Sequence, residues 1–319
     1  MKINILSSFA CLCLAAKLGA AQKVDADLPE YKPVAGLSGN LNSVGSDTLN
    51  NVMTFWAEGF RRQYPQVKLQ IEGKGSATAP AALEDGTAQL GPMSREMKST
   101  EADKFEKKFG YKPTAIGVAI DALAVYVHKD NPIKGMNLQQ VDGIFSSTYK
   151  LGGRDISSWG DLGLDGELSD APIAIFGRNS SSGTYGFFKE TALGKGDFKS
   201  GVNEQPGSSG VISSVAKNKA GIGYSGIGYR TAEVRALPLA DKDGSKYAEP
   251  SAENCLNKSY PLARVLFVYI NKKPGQPADP LTAEFLRYAL SKQGQELVAK
   301  EGFYSLPAAM SKKIELSLK

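Results

Sequence analysis

The run from Thr114 to His128 is apolar along its whole interior except for Asp121. A stretch of that length and composition suits a buried strand that passes from one lobe of a molecule to another. An acid in its middle is unfavourable unless it is partnered. Two readings of Asp121 stand side by side: a structural ion pair, with Arg178 or Arg95 as partner, or an acceptor pointed into a ligand cleft. Arg264 to Ile270 is a second strongly apolar run and a second crossing strand.

Around these two strands the chain alternates short apolar runs with helical patterns, which means α/β layering. Val67, Leu69 and Ile71 alternate with Lys68 and Gln70, as in a half-buried strand. Leu49, Val52, Trp56 and Phe60 fall at helical spacing, with Ser46 or Asp47 as the natural N-cap. Helices are also expected over Thr100 to Phe109, over Leu138 to Phe145 and, as one amphipathic element, over Leu281 to Lys300. Gly302 to Pro307 closes the core before a polar tail. His128, the single histidine, reads as a strand-end residue, and Asp241 to Lys258 reads as a loop.

The first residues carry a basic start, an apolar run from Ile5 to Ala16 and small residues at Gly19-Ala20-Ala21. This is the pattern of a secretory signal peptide, cut after Ala21 or, as the alternative, Ala20. Cys11 and Cys13 leave with it, so Cys255 alone remains and no internal disulfide or metal spacing is expected. Residues 22–37, with Pro29 and Pro33, read as a flexible, exposed lead-in. The formal net charge of +5 is modest and mixed along the chain, and no basic block points to nucleic acid.

Three stretches share one form: an apolar strand, a Gly/Ser/Thr turn and a helix start. They are centred on Ser46, on Ser76 within Gly73-Lys74-Gly75-Ser76, and on Ser182 within Phe176 to Phe188. Helix starts expose unpaired N–H groups at the positive end of the helix dipole, which makes them anion sites. The hydroxyls of Ser182 and Thr184 add donors, and Arg178 adds a planar, bidentate cation suited to an oxyanion. In open α/β folds such turns gather at the carboxyl ends of strands. Converged on one point, they would surround an anion with hydroxyls and amides.

At these residues the chain resembles the phosphate-binding proteins of periplasmic ABC importers. The most specific element is Arg178 followed by Ser182-Gly183-Thr184, which matches an Arg-x-x-x-Ser-Gly-Thr phosphate loop. Ser46-Asp47-Thr48-Leu49 resembles the first ligand loop, implying the Thr48 hydroxyl and Leu49 amide as contacts, and Gly75-Ser76 resembles the second, implying Ser76. The resemblance implies a type II periplasmic-binding-protein fold: two α/β lobes, each a mostly parallel sheet flanked by helices, joined by two crossing strands. Residues 38–120 and 263–319 would form one lobe and residues 121–262 the other.

The same resemblance implies a monomeric binding protein that holds inorganic phosphate in the periplasm and delivers it to the membrane permease of an ABC importer, without cofactor or metal. The expected phosphate contacts are Ser46, Thr48, Leu49, Ser76, Asp121, Arg178, Ser182, Gly183 and Thr184, with Ser94, Arg95 and Ser181 as further candidates. Some members carry an Asp after the third strand that accepts the proton of hydrogen phosphate. Here Arg95 stands at that place, and Asp121 is the expected replacement, kept ionised by Arg95 or Arg178. The alternatives are the same fold with another tetrahedral oxyanion, such as sulfate or molybdate, or a secreted phosphatase. The enzyme reading lacks a Gly-x-Ser-x-Gly turn, a Ser-His pairing with an acid at workable spacing and a metal cluster.

Overall fold

The computed structural model describes residues 24–319. The signal-peptide and cleavage assignments fall outside them. In chain order the elements are β1 (Gly39–Val44), α1 (Asn50–Gln63), β2 (Val67–Glu72), α2 (Ala79–Glu84), β3 (Gly91–Met93), α3 (Ser99–Phe109), β4 (Thr114–His128), β5 (Met136–Asn137), α4 (Leu138–Phe145), β6 (Ala174–Arg178) and α5 (Gly183–Thr191). They continue with β7 (Asn203–Gln205), α6 (Ser208–Ala216), β8 (Gly221–Gly226), β9 (Val234–Ala236), β10 (Leu239–Ala240), α7 (Ala252–Leu256), β11 (Ala263–Ile270), α8 (Pro280–Leu290), α9 (Lys292–Lys300) and α10 (Ala308–Leu316).

The apolar run does form one long strand, and it carries the fold. The first half of β4 pairs antiparallel with β11, from Thr114 opposite Ile270 to Ala122 opposite Ala263. At Leu123 the pairing passes to β8, with Leu123 opposite Gly226. One sheet in the order β3-β11-β4-β8-β6-β7 therefore runs through both lobes, and β9 pairs with the end of β4. A separate parallel pair, β1 and β2, lies beside β3. The pairing is more mixed than the mostly parallel sheets expected: β1–β2, β6–β7 and β6–β8 are parallel, whereas every pair made by β4 and β11 is antiparallel. An antiparallel partner is what a strand shared by two lobes needs, because β11 returns along β4 into the first lobe.

Helix faces follow the spacing of their apolar residues. α1 buries Val52, Met53, Trp56 and Phe60, and Trp56 donates its indole N–H to Gly294 O at 2.8 Å. The expected single helix over Leu281 to Lys300 is two, because Ser291 adopts an extended conformation and its hydroxyl caps the second helix at Gly294 N. The polar tail is also helical: α10 packs on α8, and Leu318 behind it is buried. A short helix, α7, interrupts the expected loop from Asp241 to Lys258 and buries Cys255. Contrary to the flexible lead-in expected, residues 24–37 are tied to the first lobe. Leu28 is buried, Tyr31 N donates to Gln293 Oε1, and the Tyr31 and Tyr64 hydroxyls meet at 2.6 Å.

Candidate anion site between the lobes

Three turns of the first lobe are stitched into one plate by backbone hydrogen bonds. Gly45 N donates to Glu72 O, Gly75 N to Gly45 O, and Ser46 N to Pro92 O at 2.7 Å. Two glycines are needed for this closeness. A Cβ on Gly45 would stand 2.2 Å from Pro92 O, and Gly75 has a φ of 110° that side-chain-bearing residues rarely adopt. The plate carries Ser46, Thr48, Ser76 and, just after β3, Ser94; all four are buried.

The second lobe meets this plate with the start of α5. Ser182 is the N-cap, its hydroxyl accepting from Thr184 N and Tyr185 N. Across the cleft the Thr184 and Thr48 hydroxyls lie 3.0 Å apart, Ser94 Oγ is 3.5 Å from Thr184 Oγ1, and Ser76 Oγ is 3.3 Å from Ser94 Oγ. Ala77 N donates to Ser181 O, joining the lobes at the rim. A Cβ on Gly183 would sit 2.3 Å from Ser76 Oγ and 2.7 Å from Ser94 Oγ. Residues from chain positions 48 to 184 thus share one small polar chamber lined by hydroxyls and by the first turn of a helix.

Arg178, at the end of β6, is almost wholly buried. Its Nη2 donates to Asp47 Oδ1 at 2.6 Å and its Nη1 to Ser208 Oγ at 2.9 Å. Its Nε is buried with no hydrogen-bond partner among the described residues, and so is Ser46 Oγ. Buried donors are ordinarily satisfied, so both atoms keep an unused hydrogen-bonding capacity.

Three of the expected contacts face elsewhere. Asp121 is fully buried, but its partner is Arg264, not Arg178 or Arg95: Arg264 Nε and Nη2 both reach Oδ2, and Oδ1 accepts from Ile227 N. None of the clustered hydroxyls is among its partners. Arg95 forms a two-pronged pair with Glu101, at 2.8 and 2.7 Å. Burial alone would raise the Glu101 carboxyl, but the hydrogen bonds from Arg95 and from Lys98 N outweigh it and hold it below the usual range. The Ser181 hydroxyl turns to Asn179 Oδ1. Asp47, expected as a possible N-cap, instead reaches across the cleft, while Leu49 occupies the N-cap position without a side-chain bond.

Sequence reasoning missed Asp47, Ser208 and Tyr229 as parts of this site, and Arg264 as the partner of Asp121. Tyr229 donates its hydroxyl to Asp47 O at 2.9 Å and to Thr48 O at 3.2 Å. Burial and then the Asp47 charge push that hydroxyl's pKa up, so it stays a donor. The one signal that could have found Arg264 is its position at the start of the second crossing strand, level with Asp121 on the first.

Comparison with known proteins places the chain in a class. A family model described as a PBP superfamily domain matches residues 32–293. The phosphate-binding protein PstS of Pseudomonas aeruginosa is 56% identical over 317 residues, spanning 98% of each chain. The chain belongs to the PstS phosphate-binding protein family, whose members bind their ligand and are not enzymes. PstS of Staphylococcus epidermidis is 29% identical over 263 residues, 81% of this chain and 77% of the relative. Among solved structures, a candidate phosphate ABC transporter substrate-binding protein with bound phosphate, from Clostridium perfringens, superposes with a TM-score of 0.70 at 27% identity. That match covers 84% of this chain and all of the other.

Proposed function

We propose that this chain binds inorganic phosphate in the periplasm, as a monomer, and delivers it to the membrane permease of an ABC importer. The observation that carries the reading is the cluster of buried hydroxyls of Thr48, Ser76, Ser94 and Thr184 at the start of α5, together with a buried Arg178 whose Nε has no hydrogen-bond partner among the described residues. A tetrahedral oxyanion placed there accepts from Arg178 Nε, from the Ser46, Thr48, Ser76, Ser94 and Thr184 hydroxyls, and from the amides at Leu49 and at Gly183 in the first turn of α5. Ser182 holds that turn in shape through its cap. Hydrogen bonds to a charged group contribute roughly 1.5–3 kcal/mol each. Several preset donors therefore offset the dehydration of a small, strongly hydrated ion.

A second reading, a different tetrahedral oxyanion, is favoured by one feature. Asp121 and Asp47 are both engaged by arginines, so neither carboxylate is spare to accept the proton of hydrogen phosphate. Titration calorimetry with phosphate, sulfate and molybdate separates the two. Tight binding of phosphate with weak sulfate and molybdate is expected. Preference for either rival, or no phosphate binding, would overturn the phosphate assignment.

A further inference from the structure

We propose that Asp47 is an interlobe latch that positions Arg178 and sets how long the bound anion is held; this rests on the phosphate reading above. Asp47 belongs to the first lobe, in the turn between Ser46 and Thr48. Its carboxylate is held wholly by the second lobe. Oδ1 accepts from Arg178 Nη2 at 2.6 Å, and Oδ2 accepts from Ser208 N at 3.0 Å and Ser208 Oγ at 3.1 Å. The same Ser208 hydroxyl accepts from Arg178 Nη1 at 2.9 Å, and Pro206 O lies 3.3 Å from Arg178 Nη2. Ser208 begins α6, so the carboxylate also sits at the positive end of a helix dipole.

Both Nη atoms of Arg178 are thereby oriented by groups other than the anion, and Nε is the guanidinium nitrogen with no hydrogen-bond partner among the described residues. Asp47 and the anion engage different edges of a single guanidinium. The pairing exists only when the lobes meet, because Asp47 stands at one side of the cleft and Arg178 and Ser208 at the other. Opening the cleft would release the carboxylate to water and free Arg178 from its lobe-one restraint. Lobe closure and anion retention are therefore coupled through this residue, and by reciprocity the anion favours the latched form. Tyr229 adds a second tie at the same turn through Asp47 O and Thr48 O. Asp47 is thus a positioning residue that acts through Arg178.

The test uses the full mature protein, inorganic phosphate and two variants, D47N and S208A. Changes in affinity from interface substitutions fall mainly on dissociation, so stopped-flow release from D47N is expected to be at least about tenfold faster, with association within about twofold of wild type. S208A, which removes one hydroxyl from the same carboxylate, is expected to shift release in the same direction by a smaller factor. Small-angle scattering with saturating phosphate should show D47N more open than the wild type. Equal release rates and equal scattering for wild type, D47N and S208A would overturn the latch while leaving phosphate binding intact. Absence of phosphate binding by the wild type would overturn the binding reading itself. If D47N fails to fold, S208A alone decides through its release rate.

Discussion

Asp121 and Arg264 form a buried ion pair at the step where β4 changes partners. Arg264 Nε and Nη2 lie 2.8 and 2.7 Å from Asp121 Oδ2, two residues before Leu123, where the pairing passes from β11 to β8. The remaining Nη1 of Arg264 donates to Ser94 O at 2.9 Å, and the guanidinium stacks 5.5 Å from the Phe187 ring centre on α5. Asp121 Oδ1 takes the amide of Ile227, which leads to Tyr229. The pair therefore ties the crossing strand to Ser94, to α5 and to the Tyr229 segment around the hydroxyl cluster, without bonding to any of the clustered hydroxyls.

Removing one partner leaves the other charge buried and uncompensated, which is destabilising by about 3–5 kcal/mol. Urea unfolding of D121N is expected to show a loss of that order. The ratio of phosphate to sulfate affinity should stay at the wild-type value, because no clustered hydroxyl bonds to Asp121. A relaxed ratio in folded D121N would place the carboxylate at the anion after all.

Gly183 brings the backbone of α5 close against the Ser76 and Ser94 side chains. An alanine there would bring Cβ to 2.3 Å from Ser76 Oγ and 2.7 Å from Ser94 Oγ. Alanine is the better helix former, so α5 itself does not suffer. G183A is expected to remain folded by circular dichroism and to lose at least about a hundredfold in phosphate affinity, equivalent to about 2.7 kcal/mol. Near-wild-type calorimetry would show that the lobes do not close to this separation around the anion.

Much of this was legible in sequence because it is local. Periodicity marks α1 and α4, the long apolar run broken only by Asp121 marks β4, and the strand–turn–helix form marks Ser46, Ser76 and Ser182. Pairing across the chain was not legible. Arg178 finds Asp47, 131 positions away, and Asp121 finds Arg264, 143 positions away. Arginine and aspartate side chains carry no spacing signal for partners so distant, and the nearer arginines were the natural guesses. The break at Ser291 was hidden for a different reason. Apolar positions keep helical spacing through it, so periodicity reads continuous where one extended residue divides two helices.

The Thr48 and Thr184 hydroxyls touch each other at 3.0 Å, so in the proposed site they would act as a coupled pair. Losing one hydrogen bond to a charged group is worth about 1.5–3 kcal/mol, or roughly 10- to 100-fold in affinity. T48V and T184V are each expected to fall in that range by calorimetry. The double variant should lose less than the sum, since each single change already disturbs the other hydroxyl. Strict additivity would mean that the two act on the anion independently.

Cys255 is buried under β4 and β11, and burial, then the nearby Asp121 charge, pushes its thiol up to about 12. A thiol in that state has almost no thiolate at pH 8. The native protein is expected to resist a disulfide reagent at that pH and to react with it once unfolded in guanidinium. Fast modification of the native protein would mean that α7 opens readily.

Asp142 gives a pH signature with a definite sign. It lies in α4, fully buried, with Oδ2 accepting from Leu151 N at 2.8 Å and Oδ1 unpartnered among the described residues. Burial pushes its carboxyl above the ordinary range, and the Leu151 amide only partly opposes this. The folded protein thus holds the Asp142 proton more tightly than the unfolded chain, where such a group titrates near about 3.9. Linkage then requires its contribution to stability to be undiminished below that value and to fall as pH rises through the window up to the raised one. D142N removes the titration, so its melting temperature relative to wild type is expected to improve as pH rises above the unfolded-state value and to level off once the folded-state carboxyl has ionised. D142A, which also deprives Leu151 N of its acceptor, should be less stable than D142N throughout. A difference between D142N and wild type that does not vary with pH would mean that Asp142 titrates alike in the folded and unfolded chains, and that its burial does not govern its proton.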